Sequence, residues 1–113
     1  EHISRLDDMK KYPKELYSIG NKELLNRPKV SIVGTRRPLN YTKQFTHSIA
    51  KSLANRGVCI VSGVAMGVDA IAHTSAGAMN SIAVVANSLD IRYPSVNRFL
   101  IEEIEQKGLI LSQ

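Results

Sequence analysis

The sequence predicts an α/β fold: a mostly parallel sheet with helices on both faces. Three observations carry that prediction. Short apolar runs of strand length recur at Val30–Val33, Val58–Val61, Ile82–Ala86 and Leu109–Leu111. Segments with helical apolar spacing lie between them. Polar loops containing glycine follow the first two runs. Strict alternation of strand and helix is the pattern of a Rossmann-like sheet, whose strands are covered on both sides and therefore read as near-continuous β-branched runs.

Each element follows from its own residues. Val30-Ser31-Ile32-Val33 is a strand stopped by Gly34, and Thr35-Arg36-Arg37-Pro38-Leu39-Asn40 is the loop after it. A helix fits residues 41–55, with Asn40 as N-cap and Phe45, Ile49, Ala50 and Leu53 on its inner face. Gly57 ends it, and Val58-Cys59-Ile60-Val61 forms the second strand, broken at Ser62-Gly63. Residues 67–79 are Ala-rich and helix-compatible, with Val68, Ile71 and Ala72 on one side. Ile82–Ala86 is a third strand, followed by a loop holding Asp90, Tyr93 and Pro94. A last helix spans about 96–107, with Phe99, Leu100 and Ile104 inward, and Gly108 precedes the strand Leu109–Leu111. Residues 1–28 read as an approach segment, short helix or extended, packed onto the domain formed by 29–113. The sequence stops as a strand ends, which leads us to expect a truncated domain with further residues beyond.

Composition sets bounds. With 113 residues, 43% apolar and 22% charged, the chain is an ordinary globular domain or part of one. No apolar run approaches the roughly 20 residues that cross a bilayer, so no membrane role is expected. The lone Cys59 cannot form an internal disulfide and reads as a core thiol, which fits a reducing compartment. The charge is uneven. Residues 10–56 carry eleven Lys and Arg against Glu15 and Glu23, a net of +9, whereas the rest of the chain is net acidic. A half-chain this basic points to a polyanion.

The basic and glycine-rich loops fall after the first two strands, at the carboxyl edge where open α/β sheets bind ligands. Gly34-Thr35-Arg36-Arg37 lies between strand and helix. Its glycine permits close backbone approach, Thr35 offers a hydroxyl, and Arg36 can fork onto phosphate oxygens. Arg37 and Lys43 add charge to the same candidate phosphate site. In Ser62-Gly63-Val64-Ala65-Met66-Gly67-Val68-Asp69, Gly63 and Gly67 bring backbone close to a ligand or to the neighbouring loop. Neither the dinucleotide fingerprint nor a nucleoside-triphosphate loop is present, so no cofactor is expected. Asp69 sits where a helix dipole favours a carboxylate, as a cap or as a ligand group. His73, four residues on, shares its face, and the pair reads as ordering the loop rather than as catalytic. With no second His or Cys nearby, no metal is expected. Tyr93 either stacks on a base or packs over the sheet edge.

Taken together, these strings resemble the DprA/Smf family of DNA-processing proteins. The marks are Val33-Gly34-Thr35-Arg36; Val61 through His73; Ile82-Ala83-Val84-Val85 with Leu89-Asp90 and Tyr93-Pro94; Asn97; and Gly108-Leu109-Ile110-Leu111-Ser112. Departures at Thr74-Ser75-Ala76-Gly77, Ser88 and Gln113 suggest a divergent branch. The resemblance implies a cytoplasmic, non-enzymatic protein of natural transformation and competence that binds single-stranded DNA and helps load the recombinase RecA. It implies a homodimer in the full-length protein. It maps the family's phosphate pocket onto Gly34, Thr35 and Arg36, with Ser62, Gly63 and Gly67 as the neighbouring wall. The alternative is a phosphoribohydrolase-like nucleotide enzyme of the related superfamily, for which the expected P-G-G-x-G-T-x-x-E string does not occur in these residues.

Overall fold

In chain order the elements are β1 (Tyr17–Gly20), a 3-10 turn (Lys22–Asn26), β2 (Lys29–Ser31), α1 (Asn40–Asn55), β3 (Cys59–Ser62), α2 (Val68–Ala76), a second 3-10 turn (Ala78–Asn80), β4 (Ser81–Val85), α3 (Arg98–Lys107) and β5 (Leu109–Ser112). They come from a computed structural model that describes residues 17–85 and 97–112. The strands form one five-stranded sheet in the order β1-β5-β4-β3-β2. All neighbours run parallel except β1, which pairs antiparallel with β5.

This order decides where the helices go. From β2 to β5 each new strand is added on the same side of the last, and right-handed crossovers then place every connecting helix on one face. Side chains alternate along the strands, so the register separates the faces. Ile60, Ala83 and Ile110 point to one side, where Ile60 packs with Ala50, Ala72 and Ala76 of α1 and α2, and Ala83 and Ile110 pack with Ile101 and Ile104 of α3. Cys59, Ile82, Leu109 and Leu111 point to the other and meet Leu24 of the first 3-10 turn. Both faces are covered, unequally: three α-helices on one, a single short turn among the described residues on the other. Cys59 is a core thiol, and burial pushes its pKa up.

Three expectations change. The segment before residue 29 contributes a strand: Tyr17–Gly20 pairs with Ser112–Leu109, making five strands where four were expected. Second, β2 is an exposed edge, and Val33 lies outside it. Its ladder ends with Ile32 N–H donating to the Val61 carbonyl at 3.0 Å. Third, the inner faces of α1 and α3 hold Ala50, Leu53, Leu100 and Ile104 as expected, but not Phe45, Ile49 or Phe99. Thr46 and Ala50 are buried in α1, and Phe45 is 58% exposed; Ile101 and Ile104 are buried in α3, and Phe99 is 83% exposed. Small side chains under α1 allow close approach to Ile60 and to α2. Thr46 escapes the cost of a buried hydroxyl by donating to the Thr42 carbonyl at 2.8 Å. Asn40 is the first helical residue, not the cap; Leu39 occupies that place without a side-chain bond.

Candidate nucleic-acid interface

Two loops leave the carboxyl ends of β2 and β3 and lock together through their backbones. The Val68 N–H, at the start of α2, donates to the Thr35 carbonyl at 3.1 Å. Gly67 has φ of +86°, and a Cβ there would lie 2.4 Å from the Thr35 oxygen and 2.7 Å from the Arg36 carbonyl. Only glycine permits both this conformation and this approach. Gly34 lies against the Val68 side chain on the reverse side of the same contact. The Arg37 N–H donates to Thr35 Oγ1 at 3.1 Å, which holds the turn and leaves the Thr35 hydroxyl proton for an outside acceptor.

The locked loops set the cations. Arg36, Arg37, Pro38 and Lys43 line one open cleft of about 460 Å³ with Gly67, Ala70 and Ile71. Arg36, Arg37 and Lys43 are exposed and make no ion pair among the described residues. Three cations without an ion-pair partner among the described residues, set around a concave surface, create a field that attracts phosphate.

The second loop is braced from below. The Ser62 hydroxyl donates to the Ile32 carbonyl across β2 and β3, so it faces the sheet rather than the cleft. His73 is fully buried, with Nε2 2.9 Å from the Gly63 carbonyl and 3.4 Å from that of Ser62. Two carbonyls can only accept, so Nε2 carries the proton and Nδ1, buried without a partner, does not. Burial holds the ring well below its ordinary pKa, outweighing those carbonyls and nearby Asp69, which pull the other way. His73 is therefore a neutral brace. Asp69 is buried in the first turn of α2, with its Oδ2 beside Gly63.

The Asn97 amide donates to the Val64 carbonyl at 2.8 Å and fixes the same loop from the start of α3. Asn97 appears in the sequence string but was not assigned a role there. Nor were Pro38, Ala70 and Ile71, whose place in the cleft is visible only once α1 and α2 are packed. Tyr93 and Asp90 lie outside the described residues. Among the described residues no group of His, Cys, Asp and Glu could hold a metal ion, and no helix is long and apolar enough to cross a membrane.

Comparison with known proteins meets this geometry. The family model for DNA recombination-mediator protein A matches residues 1–113. The Smf protein of Synechocystis is 47% identical over 88 residues, covering 76% of this chain and 22% of its own. The DNA processing protein DprA of Streptococcus pneumoniae is 37% identical over 103 residues, covering 89% of this chain and 36% of its own. A solved structure of DNA processing protein A from Helicobacter pylori, described for its unique single-stranded DNA binding mode, superposes with a TM-score of 0.92 at 48% identity. It covers 99% of this chain, which spans 53% of that one. The X-ray structure of the Streptococcus pneumoniae protein gives 0.78 at 37%, covering 86% of this chain and 35% of that one. The chain thus spans between about a fifth and a third of the curated relatives named here. Its Rossmann-like sheet and its match along the whole sequence establish that the chain belongs to the DprA/Smf family.

Proposed function

We propose that this chain holds the backbone of single-stranded DNA in the cleft between the first two loops, as the phosphate-binding part of a DNA-processing protein. The observation that carries the reading is the convergence of Arg36, Arg37 and Lys43 on one cleft at the carboxyl edge of the sheet. Loops locked backbone to backbone hold these cations without prior ordering, so less entropy is lost when a phosphate arrives. The single-stranded DNA binding of the Helicobacter pylori relative supports the choice of ligand.

Binding rather than catalysis is the proposed activity. The Ser62 hydroxyl is committed to a carbonyl and His73 is a buried donor to two others, so neither is placed as a nucleophile or base. Family membership supports the wider role: a cytoplasmic homodimer that passes the strand to RecA during transformation and recombination.

The test is fluorescence anisotropy on the intact protein with oligo-dT and a mixed-sequence strand. Arg36→Ala should weaken both about equally, because phosphates carry no sequence. An unchanged affinity, or a loss confined to one sequence, would count against the pocket.

A further inference from the structure

We propose that the loop of residues 62–67 is a latch coupled to one proton: it closes over a neutral His73 and opens when that ring takes up a proton, releasing the strand held in the cleft. The release rests on the single-strand reading above. The latch itself does not.

The geometry suits only the neutral ring. His73 is fully buried, and Nε2 alone has partners, the carbonyls of Gly63 at 2.9 Å and Ser62 at 3.4 Å. Nδ1 is buried with no hydrogen-bond partner. In the neutral ring Nε2 donates and bare Nδ1 is a single unmet acceptor. A charged ring would bury a net charge and aim a second N–H at no acceptor, a far larger cost.

The groups around the ring do not relieve that cost. The Ser81 hydroxyl, on β4, goes to the carbonyls of His73 and Gly77 at 3.5 and 3.0 Å. The Ser62 hydroxyl, on β3, goes to the Ile32 carbonyl. Asp69, one turn earlier on α2, is the one carboxylate among the described residues that acts on the ring, and burial outweighs its pull toward the charged form.

Water reaches the ring only if a covering element moves. The sheet and α2 are fixed by the core, where Ile60 packs with Ala72 and Ala76. Residues 63–67 lie outside strand and helix. Among the described residues the loop is fastened by His73, by the Asn97 amide on the Val64 carbonyl, and by the Gly67–Val68 contact with the arginine loop. A segment with so few bonds opens before the core does. Its opening lifts Gly67 off the backbone of Thr35 and Arg36, which sets the cations of the cleft. Proton and strand therefore compete without sharing a site. A simple basic surface behaves in the opposite way and holds phosphate more tightly as its histidines charge.

The experiment is hydrogen exchange by NMR on the intact protein between pH 7.0 and 5.0, corrected for intrinsic rates. The Val68 amide, which donates to the Thr35 carbonyl, is the reporter. Its protection should fall about tenfold per pH unit below about pH 6, the slope of one proton, while buried Ile60 and Ala83 stay protected. His73→Gln, which keeps an N–H donor in place of Nε2, should remove the fall. Constant protection, the same fall in His73→Gln, or a parallel fall at Ile60 and Ala83 overturns the latch. Imidazole nitrogen shifts of the native protein give a check that needs no variant: a ring that is charged while the Val68 amide remains protected also overturns it. Saturating oligo-dT at pH 7.0 should slow exchange at Val68. Bound oligo-dT that leaves this rate unchanged overturns the link to the strand. Absence of oligo-dT binding overturns the single-strand reading, and the exchange data then decide the latch alone.

Discussion

Replacing Gly67 with alanine tests whether the locked loops position the cations. The methyl group would sit 2.4 Å from the Thr35 carbonyl oxygen and 2.7 Å from the Arg36 carbonyl carbon and oxygen, all backbone atoms that cannot rotate away. The residue would also keep a φ of +86°, which costs about 1–3 kcal/mol for a non-glycine residue. Gly57 is the matching control. Its φ is +82°, yet a Cβ there meets nothing within 4 Å. Both substitutions therefore carry a conformational cost of about the same order, and only Gly67→Ala must push the arginine loop aside.

The assay pairs urea unfolding with oligo-dT anisotropy over a salt series. Gly57→Ala should lose about 1–3 kcal/mol of stability and bind like the native protein. Gly67→Ala should lose at least as much, and its salt slope should flatten by about 1.4 if the Arg36 and Arg37 contacts are both displaced. If Gly67→Ala binds with the native slope, the loop contact does not position the cations.

Other expectations follow from the same contacts. Because burial lowers the His73 pKa below the ordinary 6.5, the unfolded chain takes up a proton that the folded chain refuses. His73 should leave stability flat above that value and erode it as pH falls below, by up to about 1.4 kcal/mol per pH unit; a His73→Gln variant with the same acid limb in urea titrations would contradict this. Removing the Asn97 amide with Asn97→Ala should cost about 1 kcal/mol and speed hydrogen exchange in the Ser62–Gly67 loop, whereas native protection there would show that the amide braces nothing. Ile60→Ala, at the contact of sheet, α1 and α2, should cost about 2–5 kcal/mol in urea unfolding, and a loss under 1 would place Ile60 outside the core.

The order of strands and helices could be read directly, because β3, β4 and β5 are apolar runs between helical segments with turn residues at the joints. What escaped that reading depends on tertiary context. Tyr17-Ser18-Ile19-Gly20 carries no distinct alternation, and it is a strand because β5 offers a free edge. Phe45 and Phe99 look like core residues by apolarity, yet the close packing of α1 and α2 puts Thr46 rather than Phe45 beside Ala50, and α3 buries Ile101 rather than Phe99. Periodicity also cannot say how the helices divide between faces; strand order does that. Of the expected site residues, Arg36, Arg37, Lys43 and Gly67 line one cleft, while Gly34 and Thr35 do not line it and pack against Val68 at the start of α2. Ser62 was marked for the cleft wall, but its hydroxyl faces the sheet because the Ile32 carbonyl beside it needs a donor. Gly63 contributes a carbonyl to His73 and does not line the cleft.

The central claim is that a single strand's phosphates seat among Arg36, Arg37 and Lys43. The most direct measurement is the salt dependence of oligo-dT affinity for the intact protein, native against Arg36→Ala/Arg37→Ala/Lys43→Ala, at pH 8.0. Three lost phosphate contacts predict a log–log slope shallower by about 2. A folded triple variant that binds with the native slope would contradict the account.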